Sequence, residues 1–219
     1  MTHGLPLVPK QTPNVVRALN EIETRYDSIQ RLWLEMCKAD DGAFFPVDMV
    51  AMGAVKRCAS QSYGLRLLIE GWNLLCARAL LRMQIDTALR FSALWLVKAP
   101  HDVAREILRG GRLDKMKDRQ GKRLTDAYLI SKLSPEHPWL PHVYEHTSGY
   151  IHFSGAHMFS PISNVRKESR EVEYIIGDTD TNYPESSWLE VVECFNGATD
   201  IFLYYLAGWV RTKAASGSQ

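Results

Sequence analysis

The stretch TPNVVRALNEIETRYDSIQRLWLEMCKADDG, residues 12–42, decides the fold class. Thr12 is a capping residue, and Pro13 suits a first turn because its missing N–H has no helical partner there. Val15, Leu19, Ile22, Tyr26, Ile29, Trp33 and Met36 follow at alternating spacings of four and three. That is a heptad seam, so the stretch predicts a helix packed lengthwise on another helix. Arg17, Glu21, Glu23, Arg25 and Asp27 fill its other faces as a solvated surface. Asp40-Asp41-Gly42 ends it.

Working outward, Pro46 opens a second helical stretch, 47–72, which Gly53 and Gly64 weaken. Asn73 caps a third, 74–97, stopped by Lys98-Ala99-Pro100. A short helix spans 102–108, and residues 112–122 read as irregular. Helices follow over 124–133 and 139–148. Residues 159–165 and 171–176 flank the charged turn 166–170 and alternate apolar with polar, which predicts a two-stranded hairpin. A last helix starts near Pro184 and carries Trp188, Val192, Phe195, Phe202, Tyr205 and Trp209 on one side. The expected fold is an all-α helical bundle with one small β-hairpin near residues 159–176, a single domain over 1–219 with 1–12 and 214–219 frayed.

The bulk numbers agree. A chain of 219 residues, 46% hydrophobic and 23% charged, is ordinary globular usage. Lys and Arg total 26 against 25 Asp and Glu, so a generally basic nucleic-acid coat is excluded. Cys37, Cys58, Cys76 and Cys194 form no CxxC pair, which argues against a zinc ribbon or a disulfide framework and for free thiols in a reducing cytoplasm. The N-terminus lacks a signal pattern. The longest apolar run, 201–210, is half of what a membrane helix needs. Walker, GxGxxG and GxSxG motifs are missing, which counts against the common nucleotide-hydrolase, Rossmann and serine-hydrolase readings.

Three constellations can carry chemistry. On the third helix Arg78, Arg82, Asp86 and Arg90 recur at every fourth residue, so they stack on one face. Most other positions there are apolar, so the helix is largely buried and the charges must be paired or line a cavity. The plain reading is an ion-pair ladder, with Asp86 bridging Arg82 and Arg90. The sharper one is an anion site, since two positive charges remain for a carboxylate such as Glu70 or Glu145, or for a ligand. The second constellation is 144–157, which gathers Tyr144, Glu145, His146, Ser148, Tyr150, His152 and His157. It offers acid–base groups. Its histidine spacing is poor for metal, and no metal or cofactor is expected. His152, between Ile151 and Phe153, reads as the most buried imidazole and the best acid–base candidate. Third, residues 101–123 hold eight Lys/Arg against four Asp/Glu, a solvated loop or a phosphate-facing one, with Asp126 a partner for one of its bases.

LLRMQIDTALRF (80–91), MKDRQGKRLTDAYL (116–129) and SGYIHFSGAHMF (148–159) together resemble a family of bacterial helical proteins in which an Arg/Asp-rich helix precedes a Tyr-x-His-x-Ser segment. That family is broadly similar to HEPN and abortive-infection proteins. The resemblance implies a helical, dimeric protein linked to bacterial defence. HEPN ribonucleases carry an Arg, four to six residues, then His; no arginine here has that spacing, so their functional residues are not carried over.

The expectations are then these. The chain is a cytoplasmic homodimer, self-associating through the heptad seam of the first helix and the aromatic face of the last. It is a binding or regulatory module whose ligand residues are Arg78, Arg82, Asp86, Arg90, Glu145, Ser148 and His157, for an anionic small molecule or RNA. Alternatives are a metal-independent HEPN-like ribonuclease using His152, Arg90, Arg82 and Tyr150, and a purely structural protein.

Overall fold

The computed structural model describes residues 10–216 apart from 153 and 167. The expected fraying of 1–9 and 217–219, and Phe153 of the acid–base segment, lie outside the described residues.

Four long helices form the frame: α1 (Pro13–Lys38), α2 (Pro46–Glu70), α3 (Leu74–Ser92) and, last in the chain, α8 (Glu185–Ser216). α1 and α3 both pack along α8, and α2 packs on α3. Between α3 and α8 come the short helices α4 (Pro100–Leu108), α5 (Asp126–Leu133), α6 (Leu140–Ser148) and α7 (Gly155–Phe159). α4 rests on α2, while α5 and α6 rest on α3. A hairpin of β1 (Ile162–Arg166) and β2 (Glu171–Tyr174) completes the described residues. The helical bundle with one small hairpin is thus the fold.

The seam of α1 behaves as its spacing demands. Val15, Leu19, Ile22, Ile29 and Met36 are buried and α1 packs along α8, while Tyr26 of the seam stays exposed; on α8, Trp188 packs on Trp72, Phe202 on Phe91 and Trp209 on Phe45. Each such side chain contributes roughly 1.5–3 kcal/mol by leaving water. Most of both faces that suggested a dimer is thus buried within the chain. Gly197 of α8 lets the Trp139 ring approach closely; a Cβ there would lie 3.0 Å from Trp139 Cζ2.

Helix ends follow local chemistry. The Thr12 hydroxyl accepts from Val15 N–H at α1, so residue 12 is an ordered cap rather than frayed chain. Ala214–Ser216 likewise continue α8. Asp40, Asp41 and Gly42 all adopt positive φ, which breaks the helix between α1 and α2. The Asp48 carboxylate reaches back to Phe45 N–H at 2.8 Å. Asn73 caps α3 on Cys76 N–H. A carboxylate from far along the chain, Asp180, also accepts from Leu74 and Leu75 N–H at this end, at 2.8 and 3.1 Å.

The core holds one fully buried ion pair. Lys213 Nζ donates to Asp48 Oδ2 at 3.0 Å and to the Met36 carbonyl at 2.8 Å, with both side chains 1% exposed. Trp209 Nε1 donates to the other Asp48 oxygen at 2.7 Å. The pair joins the ends of α1, α2 and α8.

Three local expectations shift. α3 ends at Ser92 in a tighter 3-10 turn, Ala93–Trp95, rather than running to Val97. The hairpin is shorter than 159–176, because residues 155–159 wind into α7. Four of the eight basic side chains of 101–123 are hydrogen-bonded: Arg105 to Asp102, Arg109 to Glu106 and Arg112 to Asp114, while Arg119 donates to the Trp95 and Leu96 carbonyls. No helix among the described residues is long and apolar enough to cross a membrane. All four cysteines are free; burial pushes the Cys58 thiol up to about 11.

Candidate functional site

The charged stripe of α3 faces α5 and α6 on one side and α2 on the other, and its members have different fates. Arg78 is buried and lies over the rings of Tyr150 and Tyr183, at 5.0 and 5.3 Å from their centroids. It donates to the Tyr150 hydroxyl at 2.6 Å, and no carboxylate among the described residues stands within ion-pair distance. Cation–π contact and the hydroxyls of Tyr150 and Tyr183 compensate its burial. Burial in turn raises the Tyr183 phenol above its ordinary range.

Arg90 is closed by two carboxylates. Its Nε donates to Asp86 at 2.8 Å and its terminal nitrogen to Asp126 at 2.9 Å. Burial alone would lower this guanidinium's pKa; Asp86, then Asp126, outweigh it and hold it above the ordinary value. Asp126 sits in the first turn of α5, capped by Thr125, and also accepts from the Tyr144 hydroxyl at 2.8 Å. Burial first, and this bond second, push the Tyr144 phenol up to about 12. The carboxylate that completes the stripe is therefore Asp126. Glu70 pairs with Arg66 instead, and Glu145 points to solvent from α6.

Arg82 is held differently. Its guanidinium stacks on the Tyr144 ring at 3.7 Å, its Nε lies 3.5 Å from Ser148 Oγ, and Asp126 is a distant 3.9 Å away. Across from it, Arg57 of α2 donates through Nε to Thr87 Oγ1 at 2.9 Å and keeps only a 3.8 Å contact with Asp86. Both retain donors that no carboxylate saturates.

These two arginines share a cleft of ≈ 380 Å³, lined by Arg57, Arg82, Met83, Asp86, Ser148, Ile151 and His152. A second pocket of ≈ 280 Å³ lies beyond Arg57 and Asp86, which line both; its walls are mainly apolar and include Val50, Ala54, Phe91, Ile107 and Leu113, with Arg90 at its edge.

Of the residues expected from sequence, Arg82, Asp86, Ser148 and His152 line the cleft, and Arg90 lines the adjoining pocket. Arg78, Glu145, Tyr150 and His157 do not. Tyr150 covers Arg78, and its ring stands 6.1 Å from that of His157. His152 was expected to be the buried imidazole and is exposed instead, because the chain turns at 149–152 after α6 and carries it to the cleft mouth. Arg57 belongs to the site although no local pattern in α2 marks it; only the packing of α2 on α3 brings it there. Among the described residues no group of three or more His, Cys, Asp or Glu is placed to hold a metal ion.

Chemically, the cleft offers two guanidiniums with spare donors, an imidazole and a hydroxyl, with one carboxylate at its partition. Guanidinium forks of this kind match the geometry of compact oxyanions. No protein-family model, curated protein or solved structure matches the chain.

Proposed function

We propose that the chain is a binding module for a phosphate-like anion, held between Arg57 and Arg82 with His152 and Ser148 at the rim. The observation that carries this reading is the contrast between the arginines. Arg90 is closed at 2.8 and 2.9 Å, whereas Arg57 and Arg82 approach carboxylates only at 3.8 and 3.9 Å while sharing one cleft. A guanidinium that is stacked on an aromatic ring, as Arg82 is on Tyr144, is pre-oriented and loses little freedom on binding an oxyanion.

Calorimetric titration with inorganic phosphate and pyrophosphate tests it. Arg57→Gln and Arg82→Gln should each weaken binding by about tenfold or more, the loss of a charge-assisted contact. Arg90→Gln should lower the melting temperature and leave much of the affinity. Binding that ignores Arg82→Gln refutes the assignment.

One observation favours a second reading. An exposed imidazole, His152, stands in the same cleft as Arg82, which is the pairing of an acid–base group with a charge-stabilising cation that metal-independent RNA cleavage needs. In that case His152→Ala abolishes cleavage of single-stranded RNA without changing the melting temperature, and EDTA has no effect. Protein that never cuts RNA leaves the binding reading.

A further inference from the structure

The two glycines within α2 have different reasons to be glycine. A Cβ at Gly64 would lie 3.1 Å from Leu80 Cδ1, so the bare backbone lets α2 and α3 approach. At Gly53 a Cβ would meet nothing within 4 Å, and the backbone there is ordinary α-helix. A glycine inside a helix is less favourable than alanine by roughly 0.5–1 kcal/mol. Neither packing nor backbone geometry calls for it here.

Its location supplies the reason. Gly53 walls the ≈ 280 Å³ pocket together with Val50, Ala54, Phe91, Ile107 and Leu113. Any side chain at this position grows into the open space beside that pocket. The pocket meets the cationic cleft at Arg57 and Asp86, which line both. Each cavity is at or near the lower end of the roughly 300–1,000 Å³ typical of small-molecule sites; Arg57 and Asp86, 3.8 Å apart, stand between them, and only with that contact opened would the two together fall within the range.

We infer that the ligand is an amphipathic phosphomonoester: its phosphate lies between Arg57 and Arg82, and, with the loose 3.8 Å Arg57–Asp86 contact opened, a flat apolar group reaches the pocket that Gly53 lines. The inference rests on the anion-binding reading above and extends it to the other half of the molecule bound. Phe91 and the aliphatic side chains of Val50, Ile107 and Leu113 supply the apolar walls. Asp86 and Thr87 also line the pocket; each already accepts from an arginine, and their oxygens have a further lone pair for a ring N–H or amino group of the ligand.

The test titrates the full chain with 1-naphthyl phosphate and with inorganic phosphate, in wild type, Gly53→Leu and Arg82→Gln. Wild type should bind the naphthyl ester about tenfold or more tightly than inorganic phosphate, from the apolar area it buries. Gly53→Leu should erase that advantage and leave inorganic phosphate binding within about twofold. Arg82→Gln should weaken both. Gly53→Ala, as a control, should melt at or above the wild-type temperature. Should Gly53→Leu fail to fold, Gly53→Met, slimmer at its base, fills the same space. Equal affinity for the two probes in wild type, or a naphthyl advantage that survives the filled pocket, overturns this inference and leaves the anion site standing. Binding of either probe that is indifferent to Arg82→Gln, or no binding at all, overturns the anion reading and this inference with it.

Discussion

Asp126→Asn removes one charge and almost no volume, and its effect follows from the contacts. The Arg90 guanidinium loses a charge-assisted bond of 2.9 Å, worth about 1.5 kcal/mol at the low end of the usual range because Arg90 keeps 38% of its side chain in solvent. The Tyr144 hydroxyl, 2.8 Å from Oδ2, exchanges a carboxylate acceptor for an amide, about 0.5 kcal/mol. The distant Arg82 contact adds about 0.3 kcal/mol. The negative charge in the first turn of α5 adds about 0.5 kcal/mol. The sum is about 3 kcal/mol, or about 6–12 °C in melting temperature for a chain of this size. Asp86→Asn loses the 2.8 Å bond to Arg90, about 1.5 kcal/mol by the same count, and a loose contact with the 44% exposed Arg57, about 0.3 kcal/mol, so it should cost about 2 kcal/mol. The stripe is thus softer at Asp86 than a buried ladder would be. Circular-dichroism melts of the two variants check the order. An Asp126→Asn protein melting within about 2 °C of wild type, or an Asp86→Asn protein melting lower than it, refutes a network organised around Asp126.

Two further outcomes are expected. Lys213→Met leaves the Asp48 carboxylate buried with only the Trp209 and Phe45 N–H groups, and urea unfolding should show a loss of about 3–5 kcal/mol; a loss below about 1 kcal/mol would mean the pair contributes little. At alkaline pH the folded chain keeps the Tyr144 proton up to about 12 while the unfolded chain gives it up near 10, so stability is full below pH 10 and falls as pH rises toward 12. Tyr144→Phe should flatten that fall in urea titrations at successive pH values, and an unchanged slope would remove Tyr144 from the network.

The long helices were legible because their signals are local and repeated. The seam of α1, the cap at Asn73 and the prolines at 13, 46 and 100 each report on neighbours a few residues away. The i,i+4 stripe on α3 was visible for the same reason. Its resolution was not. Asp126 lies 36 residues beyond Arg90, and nothing near it says which arginine it will meet. Arg57 joins the site only through helix packing. His152 misled because flanking apolar residues usually signal burial, whereas here Ile151 lies in a surface turn and is itself 44% exposed. The apolar faces of α1 and α8 look unpartnered in the sequence for a related reason: the residues that cover most of them lie far along the chain.

Arg78 has one more consequence. Tyr150 follows α6 and Tyr183 precedes α8, and the same guanidinium lies over both rings, while Asp180 bonds to the start of α3. Everything between them, α7 and the hairpin included, is a loop whose two ends are clasped on one helix. The hairpin makes few contacts with any other element, and the apolar side chains of Val165, Val172 and Tyr174 are open to solvent. Such an insert can lengthen or shorten freely, since each doubling of a closed loop changes its entropy by only about 0.6 kcal/mol. The hairpin is thus a replaceable segment between fixed posts, where variation in its length leaves the bundle unaltered and spares Ile151 and His152 of the cleft, which precede it.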